Sequence, residues 1–263
     1  MKSEKRAPPR KRGQVALNRA LSKLGLLSRA QATAAIRAGR VRVNGLVATD
    51  PSALVVPERA RIAIDGLHRD RAPWRAILFH KPRGIVTTRS DPQGRPTVFD
   101  AIGDAGHGLV AVGRLDLATS GLLLLTNDTR LADWITDPVN RVARVYLVTV
   151  RGRVEPASQF RLATESEDEP DGAAVIVRKA SGRESHLTVE LREGRNRQVR
   201  RLFEESGLEV TRLKRVRLGG LELQTLAPGL WREVSREEVA SAFPGAPIAS
   251  KRSVQTRAGG TGR

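Results

Sequence analysis

The sequence predicts a chain of mixed helix and strand content, divided into a small first domain and a larger second one. Apolar residues recur at helical spacing between positions 17 and 36. Short apolar or alternating runs, which are typical of strands, follow through much of the remaining chain. A polar stretch that contains proline, residues 67–75, lies between the two parts and is predicted to be a linker.

The composition favours a polyanionic partner. The 263 residues include 46 Lys or Arg and 28 Asp or Glu, which gives a formal net charge of +18. Such an excess is typical of proteins that bind nucleic acid. An anionic membrane surface is a weaker candidate, because no long basic amphipathic helix is present. Aromatic residues make up only 3% of the chain, which argues against a surface that stacks several bases of a single strand.

Several other classes of protein and site are disfavoured. The chain has no cysteine, so disulfides, thiol nucleophiles and cysteine–metal sites are excluded. The four histidines share no ligand spacing, and no glycine-rich phosphate loop of the Walker type occurs, so neither a metal site nor a nucleotide site is expected. The basic N-terminus is not followed by an apolar segment, and no run is long enough to cross a membrane. We therefore expect a cytoplasmic protein.

The small domain, residues 14–66, begins with two predicted helices. The first starts near Val15 and ends at Gly25. Ser28 opens the second, and Gln31 three residues later completes a capping box. Gly39 ends this helix. The preceding residues, 1–13, are basic, lack periodicity and are predicted to be a disordered arm.

Short strands complete the small domain. The segment RVRVNGLV alternates and turns at Asn44-Gly45, and a further strand covers 61–64. This compact unit is either an RNA-binding domain or a basic but inert cap. Its basic side chains, the candidate RNA contacts, are Arg19, Lys23, Arg29, Arg37, Arg40 and Arg42.

The larger domain, residues 76–244, is predicted to open with a strand at 76–79. A turn, KPRG, follows, and then a return strand at 85–88. The loop 90–96 is too rich in glycine and proline for regular structure, and its Arg95 is a candidate contact for phosphate or a base. Further strands are expected at 141–150 and 185–191, and a second basic tail at 245–263.

The centre of the larger domain is the stretch 110–128, which reads VAVGRLDLATSGLLLLTND. Its two apolar runs suit buried strands, so the polar residues between them should form a loop at a sheet edge. Asp116 is the one carboxylate in this loop, and Arg114 lies close to it in sequence. A nearby cation keeps a carboxylate ionised and available as a nucleophile or base. The alternative is an aspartate that only caps a turn, and the residues alone leave both open.

A basic helix is predicted near the end of the chain, in the segment EGRNRQVRRLFE. Asn196 can cap it, and it should end at 205, before Gly207. Apolar residues at 199, 202 and 203 form the buried stripe. Arg197, Arg200 and Arg201 are expected on the opposite side. That face suits phosphates and can supply a partner for Asp116, or it is simply an exposed charged surface.

Four segments carry a resemblance to a known family. The stretch VGRLDLATSGLLLLTND resembles the catalytic signature of the bacterial rRNA pseudouridine synthases. The segments DPQGRPTVFD and EGRNRQVRRLFE are similar to motifs of the members that act on the large ribosomal subunit. LSRAQATAAIRAGRVRVNG resembles the small RNA-binding domain first known in a ribosomal small-subunit protein. The similarity extends over about residues 15–239.

The resemblance implies an α+β fold and a reaction. The small RNA-binding domain should precede a catalytic domain built on a mixed, mostly antiparallel sheet with flanking helices. The implied reaction converts one uridine of rRNA to pseudouridine, and the motifs favour the large subunit. The bond at N1 of the base breaks, the base rotates and a bond forms at C5. No redox change occurs, so no cofactor is expected.

The resemblance also assigns roles to individual residues. Asp116 matches the essential aspartate, Tyr146 the tyrosine that packs on the target uracil, and Arg200 the basic residue that pairs with the aspartate. Leu218 matches a position on the active-site floor. Many relatives have Lys two places before the tyrosine, where this chain has Arg144. The remaining expected RNA contacts are Lys81, Arg95, Arg114, Arg195, Asn196, Arg197 and Arg201.

Other functions remain as alternatives. The composition and the first domain suit a non-catalytic RNA-binding factor of ribosome assembly equally well, and the Asp116, Tyr146 and Arg200 set favours the enzyme. A synthase for small-subunit rRNA is a second alternative. A DNA-binding regulator is weaker, because nothing indicates a dimer of recognition helices. We expect a monomer whose partner is rRNA, free or in an assembly intermediate, with no membrane partner.

Overall fold

The computed structural model describes residues 14–57, 59–68, 73–154, 174–195 and 197–248. The basic arm expected at 1–13, most of the expected basic tail, and Asn196 lie outside these residues. None of the helices in the described part of the chain is long and apolar enough to span a membrane.

The small domain contains two helices and six short strands. Its four-stranded antiparallel sheet has the order β3-β2-β5-β6, and β1 pairs separately with β4. In chain order the elements are β1 (Val15–Ala16), α1 (Leu17–Lys23), α2 (Arg29–Arg37), β2 (Val41–Val43), β3 (Leu46–Ala48), β4 (Leu54–Val55), β5 (Ile62–Ile64) and β6 (Leu67–His68).

Local sequence signals account for most of this domain. The hydroxyl of Ser28 accepts from the backbone N–H of Gln31, whose side chain accepts in return from the backbone of Ser28. This is the predicted capping box. Asn44 and Gly45 both have positive φ, 51° and 88°, as a two-residue type I′ hairpin requires.

Two boundaries of the small domain differ from the prediction. Val15 does not begin the first helix but pairs with Val55 in a short ladder, and the backbone N–H of Leu17 donates to a carbonyl of that neighbouring segment. Residues 67–68 belong to strand β6 rather than to the linker, because they pair with β5 across a tight turn. Both pairings join segments that the local pattern treats separately.

The larger domain consists of one nine-stranded sheet with helices packed against it. The elements in chain order are β7 (Ala76–Lys81), α3 (Val98–Ile102), β8 (Val110–Ala111), β9 (Ser120–Thr126), α4 (Thr129–Thr136), β10 (Arg144–Arg151), β11 (Ala174–Ala180), β12 (Glu184–Leu191), α5 (Gln198–Glu205), β13 (Val210–Leu218), β14 (Leu221–Glu222), β15 (Trp231–Glu233) and α6 (Arg236–Ala242). Short 3₁₀ turns occupy 103–106 and 138–140.

The strand order of this sheet is β11-β12-β10-β13-β9-β7-β15, with β14 paired to β13 and β8 paired to β9. Among the named strands of this sheet, β13 and β9 run parallel, and the other pairs are antiparallel. The expected mixed, mostly antiparallel sheet with flanking helices is therefore confirmed.

Strand β9 is buried on both faces. Leu122 and Leu124 belong to one apolar cluster, with side chains of α4 and α6. Leu123 and Leu125 belong to a second cluster, which contains residues of α3. All four leucines are 0% exposed. Burial on both faces explains why this strand is uniformly apolar rather than alternating. A third cluster joins α5 to β10, β12 and β13.

Two predictions for the larger domain are wrong. Residues 85–88 form no return strand, and only Val86 makes a single bridge, to Thr97. The reason is that β7 already pairs with β9 and β15, so neither of its edges is free. The domain also continues past 244, because Ala246 and Ile248 pack against the first apolar cluster.

Candidate active site

Asp116 lies on the loop 112–119, which connects β8 to β9. The two strands are antiparallel neighbours, with Ala111 opposite Leu125, and both are anchored in the buried sheet. The predicted loop between two apolar strands is therefore present. The carboxylate of Asp116 is half-buried.

The backbone of this loop is held by neighbouring segments. The hydroxyl of Thr87 donates to the carbonyl of Leu115 at 2.7 Å. The backbone N–H of Gly84 donates to the carbonyl of Leu117 at 2.9 Å. Both donors come from the KPRG turn and the residues after it. This explains why that turn lies against the loop although it does not lead into a return strand.

Lys81 holds the loop 112–119 in place from the protein interior. It is the last residue of β7 and is 0% exposed. Its ammonium donates to the carbonyls of Pro82 (3.0 Å), Asp116 (3.1 Å) and Thr119 (2.8 Å). Burial lowers the pKa of Lys81 from 10.5 to about 8, and the negative charge of Asp116 opposes that shift. The predicted RNA contact at Lys81 is wrong, because its charge is used within the protein.

Arg200 fastens the loop from the side of helix α5. Its guanidinium donates to the carbonyl of Val210 at 3.0 Å and to that of Ala118 at 3.3 Å. Burial is the main cause that lowers the pKa of Arg200, the cation of Arg197 adds to it, and the charge of Asp116 acts in the opposite direction. The exposed position predicted for Arg200 is wrong, since only 8% of it is exposed. Two backbone acceptors make that burial possible.

The consequence is a backbone that is held in place around Asp116. The carbonyls of residues 115–119 each accept at least one hydrogen bond. Lys81 and Arg200 both interact electrostatically with Asp116. Arg114, the cation nearest in sequence, is exposed instead.

A cavity of about 260 Å³ opens in front of Asp116. Tyr146 of β10 lies in its wall, half-buried, and its inner side packs against the second and third apolar clusters. Leu218 of β13 is 1% exposed and also lines the cavity. The structure therefore brings Asp116, Tyr146 and Leu218 together in one pocket, while Arg200 lies behind the loop.

Arg144 supports the wall of the cavity. Its guanidinium is buried and donates to the carbonyls of Val142 (2.6 Å), Ile135 (3.0 Å) and Arg192 (3.4 Å). A Cβ at Gly194 would lie 3.3 Å from this guanidinium, so the backbone passes close to it. Burial lowers the pKa of Arg144, and the charge of Arg215 acts in the same direction. Arg144 thus joins α4 to the segment before α5.

The other predicted contacts in the larger domain are near the surface. Arg114, Arg195 and Arg197 are exposed and line the cavity, and Arg201 is exposed on α5. Two of these also form ion pairs at the surface, Arg195 with Glu193 at 2.9 Å and Arg197 with Glu204 at 3.6 Å.

Two further predictions in this domain need correction. Arg95 donates to both carboxylate oxygens of Asp91, at 2.9 and 2.7 Å, and this pairing lowers the pKa of Asp91 to about 2. Arg95 is therefore half of an ion pair rather than a free cation. Helix α5 begins at Gln198, with Arg197 at the cap position and a φ of 52°. The predicted cap, Asn196, lies one residue too early and outside the described residues.

The basic residues of the small domain fall into two groups. Arg40 makes a two-point ion pair with Asp65, with both N–O distances 2.6 Å, and Arg42 donates to the carbonyl of Gly45 at 3.1 Å. The other four have no ion pair with a described residue, and all but the half-buried lysine are exposed: Arg19, Lys23, Arg29 and Arg37.

Sequence reasoning missed two polar residues of the site. Thr87 was placed in a strand and in fact supports the Asp116 loop. Arg215 appeared only as part of the strand-like run RLKRVRLGGLEL, yet it is 3% exposed and lines the cavity. A charged residue in an otherwise ordinary strand pattern gave no signal of burial. No group of metal-ligating side chains occurs among the residues with described positions.

Comparisons with known proteins agree with this geometry. The family model described as RNA pseudouridylate synthase matches residues 75–205, and the S4 domain model matches residues 17–59. A solved crystal structure of a pseudouridylate synthase superposes with a TM-score of 0.59 at 27% identity. It covers 87% of this chain and 99% of its own.

Three relatives illustrate the similarity in sequence. The ribosomal large subunit pseudouridine synthase B of Pasteurella multocida is 40% identical over 233 residues, which cover 85% of this chain and 68% of the relative. The protein of the same name from Escherichia coli (strain K12) is 41% identical, over 83% of this chain and 78% of the relative. An RNA pseudouridine synthase of Aquifex aeolicus is 36% identical, over 88% of this chain and 94% of its own.

These matches bear out the resemblance seen in the motifs. The two family models cover residues 17–59 of the small domain and residues 75–205, which contain strands β7 to β12, the Asp116 loop and helix α5. They also exclude the reading of the chain as a basic binding factor without a catalytic domain. The chain belongs to the RNA pseudouridylate synthase family and is a pseudouridine synthase with an S4 domain before its catalytic domain.

Proposed function

We propose that this enzyme converts a uridine of large-subunit rRNA to pseudouridine, with Asp116 as the catalytic carboxylate. The observation that carries the proposal is the placement of Asp116 at the cavity, on a loop held by two buried cations. The choice of substrate is supported by relatives that are 40–41% identical and are named for the large ribosomal subunit. The expected cytoplasmic location and monomeric state belong to the same proposal.

The target base must leave its stack to reach this cavity. An enzyme that acts on a base extrudes the nucleotide into a pocket and holds it there by stacking. The ring of Tyr146 is half-buried in the cavity wall, and its inner side is fixed by apolar packing. Tyr146 therefore offers a rigid face for the uracil. Leu218 supplies an apolar floor.

Asp116 then acts on the extruded nucleotide. The bond between N1 and C1′ of the sugar breaks, the base turns, and C5 bonds to C1′. C5 loses its proton and N1 gains one, so the product is an isomer of the substrate. Asp116 attacks the sugar or the base, or assists proton transfer at the ribose, and its position is compatible with each route. Arg200 and Lys81 do not line the cavity. Their role is to hold the backbone of the Asp116 loop in place.

Binding of the RNA uses exposed cations around the cavity and on the small domain. Arg114, Arg195 and Arg197 are placed to meet phosphates of the nucleotides that flank the target. The exposed arginines of the two small-domain helices offer a second basic surface. Each neutralised phosphate should contribute about 0.7–0.9 to the slope of log affinity against log salt concentration.

Mapping of pseudouridines in rRNA from cells with and without the gene tests this proposal. We expect the loss of one pseudouridine, or of a few neighbouring ones, in the large-subunit rRNA, and recovery on reintroduction of the gene. A loss confined to small-subunit rRNA would contradict the substrate and leave the enzyme class intact. Unchanged pseudouridines in both rRNAs would contradict the proposed function.

A further inference from the structure

Buried polar atoms without partners collect at the cavity. Among the described residues, Thr119 Oγ1, Gln198 Oε1 and Arg215 Nη2 are buried side-chain atoms that have no hydrogen-bond partner, and all three residues line the cavity. Most buried polar atoms in folded proteins are paired, because an unpaired one is costly. Such atoms in the wall of a pocket indicate hydrogen bonds that a ligand completes.

Arg215 is the most pronounced case, and Arg144 shows the contrast. Both are buried arginines that line the cavity, 3% and 5% exposed. Arg144 donates to three carbonyls. Arg215 donates through Nε to the carbonyl of Leu122 at 2.8 Å, and no other described residue forms a hydrogen bond or ion pair with its side chain. A guanidinium is always charged and has five N–H donors, so the buried Arg215 has N–H donors that no acceptor in the described part of the protein uses.

The position of Arg215 relative to Tyr146 is fixed by the sheet. The two residues are directly opposite each other where β10 pairs with β13, so their side chains leave the sheet on the same face. On its other side Arg215 is opposite Gly121 of β9. A Cβ at Gly121 would collide with the carbonyl oxygen of Arg215. Only glycine permits this close approach, which leaves the strand that carries Arg215 little room to shift.

We propose that Arg215 is a specificity-determining residue, which donates a hydrogen bond to O4 of the uracil stacked on Tyr146. The inference rests on the proposed function. Uracil presents two carbonyl oxygens, O2 and O4, to a donor. Cytosine has an amino group in place of O4, and an amino group cannot accept from a guanidinium. A donor-only side chain aimed at O4 therefore favours uracil over cytosine.

A phosphate is a poorer occupant of this position. A phosphate would lose its hydration to reach a side chain that is 3% exposed, and the desolvation of a full charge is expensive. The exposed Arg114, Arg195 and Arg197 at the cavity can meet phosphates without that cost. The neutral base is the part of the nucleotide that stacks on Tyr146, beside Arg215.

The test combines changes in the enzyme with changes in single atoms of the substrate. The probe is an rRNA fragment that contains the uridine modified by this enzyme, with that position synthesised as uridine, 2-thiouridine or 4-thiouridine. Sulfur accepts a weaker hydrogen bond than oxygen. The readout is the single-turnover release of tritium from C5 of the target base. With 4-thiouridine, which is altered at the contacted oxygen, the rate of the wild-type enzyme should fall by about 10- to 100-fold. This is the range for a hydrogen bond to a charged group.

Arg215→Met removes the donors and keeps a side chain of similar length. It should lose a comparable factor with uridine, and the thio analogue should then cause no further loss. Arg215→Lys should recover part of the rate with uridine. Arg144→Met is the matched control, because Arg144 is engaged by the protein, and it should slow all three substrates by the same factor.

Three results would overturn the assignment. They are equal wild-type rates for all three substrates, a full rate for Arg215→Met, and an Arg215→Met penalty that is the same for every substrate. A penalty that instead follows replacement of the target phosphate by a methylphosphonate would assign Arg215 to phosphate binding. If Arg215→Met fails to fold, Arg215→Lys takes its place: a smaller sulfur effect than in the wild type supports the role of Arg215, and an unchanged one overturns it. No conversion of uridine by the wild-type enzyme would contradict the proposed function, whereas conversion without any sulfur effect contradicts only the role of Arg215.

Discussion

Two segments that line the same cavity are built in opposite ways. The Asp116 loop, 112–119, has its last five carbonyls engaged by hydrogen bonds, and two of the donors are cations buried behind it. The second segment carries Arg195 and Arg197, which are exposed and pair with Glu193 and Glu204 at the surface. The first segment holds the backbone around Asp116, and the second presents exposed charges.

The difference matches two physical requirements. A reacting group must be held within a fraction of an ångström of its productive position. A phosphate contact tolerates movement, because the attraction between charges falls off gradually with distance. Exposed ion pairs contribute little to stability, whereas removal of one partner of a buried charge is strongly destabilising. The effects of substitutions in the two segments should therefore differ in size. They should also differ in the property that changes, which is the rate for the first segment and RNA binding for the second.

The largest effect among the supporting residues should come from Arg200→Ala. It removes a buried cation beside Asp116 and leaves the carbonyls of Ala118 and Val210 without a donor. We expect a loss on the order of 100-fold in single-turnover rate, as for other preorganised charges near a reacting group. Arg200→Lys should lose less. Arg201→Ala, an exposed change on the same helix, is the matched control. Equal rates for Arg200→Ala and Arg201→Ala would contradict the expected difference between buried and exposed cations.

A smaller effect is expected from Lys81, and it depends on pH. The ammonium should lose its proton as pH rises through about 8, so the charge beside Asp116 is lost and the rate should fall by about tenfold. The free energy of unfolding should change in the opposite direction and rise with pH. The native pKa lies below the ordinary 10.5, so the unfolded chain binds more protons between the two values, and this group's contribution to the free energy of unfolding rises with pH there.

Rates and thermal unfolding between about pH 6 and pH 10 check this prediction. The variant Lys81→Met should be slow throughout and lack the step near pH 8, and the exposed Lys179→Met should keep the wild-type profile. A wild-type step that persists in Lys81→Met would assign the titration to another group.

The smallest effect is expected from Arg197→Gln, at the exposed segment. The free energy of unfolding should change by no more than about 0.5 kcal/mol, as is usual at the surface. Binding of the rRNA fragment should weaken, with the salt slope reduced by about 0.7–0.9 if one phosphate contact is lost. The rate at saturating RNA should stay near that of the wild type. A large loss of rate at saturation would show that this segment also positions reacting groups.

The same contrast explains what the sequence could predict. Signals within a few residues were reliable, as shown by the Ser28 capping box and by the loop between the two apolar strands around Asp116. The burial of Lys81 and Arg200 was missed. Two of their acceptors lie 35 and 82 residues away in the chain, at Asp116 and Ala118. A basic residue next to a turn or on a helix suggests an exposed charge, and only the assembled sheet shows which carbonyls accept from it.

The prediction of a return strand at 85–88 was wrong for a related reason. Its apolar and β-branched residues suit a strand, but both edges of β7 are taken by strands from elsewhere in the chain. Arg215 likewise looked like any charged residue of a strand. Its buried position opposite Tyr146 depends on the register between β10 and β13, which no local pattern contains.

The central claim is that the held loop presents the carboxylate of Asp116 to the cavity. Asp116→Asn tests it most directly, because the amide keeps the shape of the side chain and removes its charge. The measurement is single-turnover conversion of an rRNA fragment labelled with tritiated uridine, together with its binding and the thermal unfolding of the variant. We predict near-normal folding and RNA binding with no detectable pseudouridine. Substantial conversion by Asp116→Asn would contradict the assignment of this loop as the catalytic centre.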